Sequence, residues 1–80
     1  MWIRNQKRGT LLNLDSNTIQ ICIDLYNYRI YAVTDCDNYE LGAYSSYSKA
    51  SKVMDKIEWH LENKSCKVFR MPQDGSVKNL

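Results

Sequence analysis

No run of apolar residues in the chain approaches the length of about 20 that a membrane-spanning helix needs. The opening Met1-Trp2-Ile3-Arg4 leads into polar residues and not into the apolar core of a secretory signal. A cytoplasmic protein without a membrane partner is therefore expected. His60 is the single histidine, and the three cysteines, Cys22, Cys36 and Cys66, are odd in number, far apart and without a CxxC pair. A structural zinc site takes four nitrogen or thiolate ligands in close pairs, and a disulfide framework takes an even count. Neither fits, so no metal is expected and the thiols are expected to be reduced. Cys36 lies between Asp35 and Asp37, whose charges disfavour the thiolate and make it a poor nucleophile. Asp24, Asp35 and Asp37 lack the ordered oxygen-ligand loop of a calcium site and read as turn residues.

Other absences narrow the function. There is no GxGxxG or GxxxxGK[ST] phosphate loop, no HExxH, and no Ser-His-Asp set in a recognisable context. Nothing assembles a nucleophile, a base and an oxyanion donor, and spacing assigns no catalytic partner to His60. Stoichiometric binding is expected in place of catalysis, with no cofactor. Eleven basic residues against nine acidic ones leave a net charge of +2, too mild to argue for nucleic acid from charge.

What is present is patterned. Thr18 to Leu25, TIQICIDL, alternates Ile19, Ile21, Ile23 and Leu25 with polar residues, the period of a half-buried strand. Tyr26-Asn27 reads as a turn, with Asn27 suited to a left-handed backbone. Tyr28 to Thr34 is a returning strand, DCDN at 35–38 another turn, and Tyr39 to Tyr44 a third strand in which Gly42 marks a bulge or a close approach. Shorter strands fall at Trp2 to Arg4 and Thr10 to Leu14, followed by a turn at Asp15-Ser16-Asn17, and Cys66 to Met71 is a last one. Between them, Ser48 to Asn63 places Ala50, Val53, Met54, Ile57 and Leu61 on one helical face, with Ser46 or Ser48 as N-cap and Asn63 as stop. The expected fold is α+β: an antiparallel sheet of about four to five strands with one amphipathic helix packed on one face. Residues 1–72 form the domain and 73–80 a flexible tail. A domain of 80 residues buries only about 60% of its unfolded surface, so a partner or a homo-oligomer is expected.

Two surfaces stand out. Five of the six tyrosines lie between positions 28 and 48. Strand alternation puts Tyr28 and Tyr39 on one face and Tyr31 and Tyr44 on the other, with Arg29 beside Tyr31. A Tyr/Arg surface of Arg4, Arg29, Tyr31 and Tyr44 can hold an anionic, stackable ligand. On the helix, Trp59 falls opposite the apolar stripe, next to Lys49, Lys52 and Lys56, while Asp55, Glu58 and Glu62 line the other flank. An exposed tryptophan flanked by lysines is a candidate protein-docking face. The plain alternatives are strand propensity for the tyrosines and a solvated charged helix face.

MWIRNQ at 1–6, LLN at 11–13, LGAYSSYSKASKVMDKI at 41–57 and VFRMP at 68–72 resemble a family of small phage- and prophage-associated proteins of Gram-positive bacteria. Its members carry an MWIRxQ start, an LGxYSS step into a helix and a VFxMP close. Asn5 and Arg70 stand where that family usually has Ser and Gln. These motifs carry no known chemistry and look structural. The resemblance implies a phage-associated accessory protein, a stoichiometric antagonist of a host system; with the Tyr/Arg content and the absence of catalytic chemistry, a counter-defence protein that sequesters a nucleotide-like immune signal is expected. The alternatives are an inhibitor that binds a host defence effector such as a CRISPR nuclease, and a housekeeping regulator.

Overall fold

A computed structural model describes residues 1–15, 19–64 and 67–79. The fold is α+β. Three strands, β3 (Gln20–Asp24), β4 (Arg29–Val33) and β5 (Asn38–Ala43), form an antiparallel meander in the order β3-β4-β5. A second sheet has the order β2-β1-β6, from β1 (Trp2–Arg4), β2 (Leu11–Asn13) and β6 (Val68–Arg70). The expected single antiparallel sheet is thus two three-stranded sheets, and β6 returns from the helix to run parallel to β1. Helix α1 (Tyr47–Asn63) buries Ala50, Val53 and Ile57 in one core with Ile3, Ile30, Ala32, Leu41, Tyr44, Phe69, Met71 and Val77. Ser46 is its N-cap, the hydroxyl accepting from the Lys49 N–H at 3.2 Å. The stop is Lys64 in a left-handed conformation, one residue past the expected Asn63.

The β3–β4 turn also shifts by one residue. Tyr28, not Asn27, takes the positive φ of 58°. Asp24 organises the turn, its carboxylate accepting from Tyr26 N–H and its carbonyl from Tyr28 N–H. Where β5 meets β4, Tyr31 pairs with Glu40 and Ile30 with Gly42, which leaves Leu41 as an extra residue. This bulge reverses the side-chain phase along β5. Leu41, Gly42 and Tyr44 therefore all turn inward, and Tyr44 is only 5% exposed. That corrects the expected split, in which Tyr44 faced away from the core. Gly42 fits the same event: a Cβ there would lie 3.0 Å from the Tyr44 ring and its hydroxyl, so the ring would have to shift to admit a larger residue.

The segment after Pro72 is a second correction. Asp74–Asn79 forms a 3-10 helix, η1, and Val77 is fully buried in the core. Apolar burial at one position and polar contacts at Asp74 hold down a stretch that has no periodicity to announce it. The expected turn residues Ser16 and Asn17, the strand starts Thr18 and Cys66, and Leu80 lie outside the described residues.

Gln6 joins the two sheets. Its N–H donates to Leu41 O at 2.7 Å. Its side-chain Oε1 accepts from Ala43 N–H at 2.9 Å, and Nε2 donates to Ala43 O at 3.2 Å and to Pro72 O at 3.1 Å. The carboxamide thus acts as one more residue of sheet alongside β5, using its donor and its acceptor together. Tyr44 OH donates to the same Pro72 carbonyl at 2.8 Å, and Gln73 Nε2 donates back to Gln6 O at 2.8 Å. MWIRNQ, LGAYSS and VFRMP, far apart in sequence, meet at this point.

Gln6→Glu is expected to destabilise the protein by about 2–4 kcal/mol in chemical denaturation, because a carboxylate keeps the acceptor for Ala43 N–H but turns an oxygen toward two carbonyls. Tyr44→Phe, which leaves Pro72 O bonded to Gln6, is expected to cost only about 1 kcal/mol. Equal losses for the two would remove Gln6 from its joining role.

Candidate functional site

The four residues expected to hold an anionic ligand are not one site. Arg4 lies in β1 of the other sheet, where its guanidinium donates to Arg8 O at 3.1 and 3.3 Å. Tyr44 is in the core with its hydroxyl committed to Pro72. Burial, with the nearby Asp74 charge, pushes its phenol well above the ordinary tyrosine range. Arg29 and Tyr31 do share the outer face of β4, but Arg29 donates to Glu40 Oε1 at 2.9 Å. The shallow depression beside Tyr31, about 380 Å³, is lined by Cys22, Asp24, Val33 and Asn38. Its one charged lining residue is Asp24, which repels an anion.

The helix face holds together better. Trp59 is 52% exposed. With Lys52, Asp55 and Lys56 it lines a groove of about 220 Å³. These residues stand at i, i+3, i+4 and i+7, the spacing that stacks side chains on one helical face. Asp55, expected on the opposite flank, belongs to this groove, and the 52/55/56/59 spacing was the signal for it. The groove thus carries two cations and one anion around an indole. Lys49 is drawn away: its Nζ sits 3.5 Å from Asp74 Oδ2 of η1. That corrects its expected place beside Trp59.

His60 supports Trp59 from below. The two rings meet edge to face with centroids 5.0 Å apart, and His60 packs in turn on Phe69 of β6 at 5.3 Å. The chain Trp59–His60–Phe69 ties an exposed ring to the core, and edge-to-face aromatic pairs favour this geometry. The Trp59 carbonyl accepts from Asn63 Nδ2 at 2.8 Å, closing the last helical turn. Among the described residues no helix is long and apolar enough to cross a membrane.

No protein-family model matches this chain, and neither a curated protein nor a solved structure does.

Asp74 connects the helix entry to η1. Its carboxylate accepts the Ser45 N–H at 2.9 Å. That backbone hydrogen bond, with help from the Lys49 charge, holds its pKa below the ordinary 3.8. A folded-state pKa below the unfolded one means that the contribution to stability is present above pH 3.8 and is lost as pH falls through the folded value. Asp74→Asn is therefore expected to narrow the stability gap between pH 6 and about pH 2, read from urea midpoints across that range. An unchanged acid profile would show that the Asp74 contact contributes nothing.

Proposed function

We propose that this protein works by stoichiometric binding, docking a protein partner through the α1 groove around Trp59. The observation that carries this reading is the half-exposed indole, backed by His60 and flanked by Lys52, Lys56 and Asp55. Leaving a large aromatic ring in water gains nothing for the fold, whereas covering it on a partner recovers the hydrophobic free energy of the ring. Tryptophan residues of this kind dominate measured interface energies. The two lysines favour a partner surface with carboxylates around an apolar pocket, and they set orientation and encounter rate more than affinity. The phage and prophage context implied by the resemblance makes a host defence effector, such as a CRISPR nuclease, the partner class to test first.

Sequestration of a nucleotide-like signal is the second reading. It is carried by Arg29 and Tyr31 alone, the two of the four residues that share a face. The acidic lining beside Tyr31 and the pairing of Arg29 with Glu40 weigh against it within a single copy.

Two measurements separate the readings. Tagged protein is used to capture partners from host lysate, with Trp59→Ala and the double variant Lys52→Glu/Lys56→Glu alongside. A partner retained by the wild type is expected to bind Trp59→Ala at least about 30-fold more weakly, the loss of about 2 kcal/mol typical of a hot spot. Equal capture by both proteins would end the Trp59 reading. Calorimetry against cyclic and ADP-ribose-type nucleotides is expected to give no heat. Binding heat that Tyr31→Ala abolishes would instead establish the second reading.

A further inference from the structure

The meander has two edges, and they are treated differently. At β5, the main chain and carboxamide of Gln6 occupy the hydrogen-bonding groups of Leu41 and Ala43. At β3 no described residue does the same: this strand pairs with β4 alone. Edge strands that stay unpaired are usually short, or are guarded by lysine, proline or a bulge. β3 is five residues long, QICID, with no lysine, arginine or proline, and its pairing with β4 has no register shift.

The direction of the free groups is set by the ladder. Tyr28 O accepts from Tyr44 N–H on the β5 side. Alternation then aims the main chain of Arg29, Tyr31 and Val33 at β3, and that of Asp24, Cys22 and Gln20 at β4. The N–H and C=O groups of Ile21 and Ile23 are left pointing outward along the open edge. Their side chains lie on the inner face, where Ile19 and Ile21 border a groove with Met54, Ile57 and Leu61 of α1, and Asp55 and Glu58 also line it.

We infer that this edge is a two-fold interface with a second copy of the chain, in which β3 pairs antiparallel with the partner's β3 about Cys22. The strand is self-complementary in that register. Ile21 exchanges hydrogen bonds with Ile23 of the other copy, and Gln20 faces Asp24 in place of a like charge. The two meanders become one six-stranded sheet, the isologous arrangement of a C2 dimer. Leu25, 67% exposed as the first residue of the β3–β4 turn, lands opposite Ile19 of the other copy, at the mouth of the groove beside Leu61. The two Cys22 residues form a non-hydrogen-bonded antiparallel pair on the outer face, with Cα atoms about 4.5 Å apart. That spacing lies within the range a disulfide spans.

The register makes the test specific. A variant carrying Cys36→Ser and Cys66→Ser keeps Cys22 as its single thiol. Mild oxidation with copper–phenanthroline, which takes one electron and one proton from each thiol, is expected to convert it to a covalent dimer of twice 9.4 kDa. In light scattering, reduced wild type at about 0.1 mM is expected at the same doubled mass. Cys22→Lys, at an exposed position, is expected to stay folded and to be monomeric, because it sets two ammonium groups against each other on the axis. Trp59→Ala is expected to leave the dimer intact, which separates this interface from partner docking. A monomeric wild type would overturn the inference. So would a dimer that survives Cys22→Lys or gives no Cys22 crosslink.

Discussion

The two sheets of this fold share no strand, and the carboxamide of Gln6 is what lets them behave as one body. A three-stranded sheet of three-residue strands has too little ladder to persist alone, and two-stranded or very short sheets are marginal in water. Here β1 is anchored by its own continuation, which reaches β5 at Gln6. That residue bonds Leu41 and Ala43 on one side and Pro72 on the other. Those acceptors and donors are partly buried, so each would carry a desolvation cost if left unmade. The Gln6 main-chain N–H takes the Leu41 carbonyl, and its side chain, with one donor group and one acceptor group, satisfies the Ala43 and Pro72 groups, which neither a hydrophobic nor a charged residue could do.

Around that node the remaining features fall into place as consequences. Pro72 presents its carbonyl because proline ends β6 and the chain must turn. Tyr44 reaches the carbonyl because the Leu41 bulge rotates it inward, and Gly42 is bare because the Tyr44 ring then crosses it. Ser45 and Ser46, next in line, hand the chain to η1 through Asp74 and to α1 through the N-cap. One local insertion in β5 thus decides the packing of a strand end, a helix start and the C-terminal turn.

Periodic elements were legible in the sequence because burial repeats along them. The Ile19–Leu25 alternation gave the strand, and the Ala50–Val53–Ile57 spacing gave the helix and its inner face. Trp59 was readable as exposed for the same reason, and the 52/55/56/59 spacing held Asp55 as well. What was not legible depends on contacts between distant segments. Gly42 marks a bulge or a close approach, but alternation cannot show the change of phase that a bulge brings, so alternation alone puts Tyr44 on the wrong face. Val77 is one apolar residue in a polar stretch and has no period. The parallel β1–β6 pairing and the Gln6 bonds join segments far apart in the chain, 37 positions for Gln6–Ala43 and 66 for Gln6–Pro72, where no local signal exists.

The helix therefore has three working sides. Ala50, Val53 and Ile57 hold it to the core, Met54 and Leu61 border the β3 edge, and Trp59 with Lys52 and Lys56 faces outward. Asp55 is the residue that lines both grooves. In the proposed dimer, pairing through β3 would take solvent away from one side of its carboxylate, and loss of solvent strengthens any attraction between that charge and the lysines of the same groove, Lys52 and Lys56. Any charge held more firmly there is less free to meet a partner's own carboxylates. The same coupling runs in reverse, because linkage between two binding events is reciprocal in free energy. The proposed dimer would carry two Trp59 grooves, so a partner with two matching surfaces would gain avidity through effective concentration.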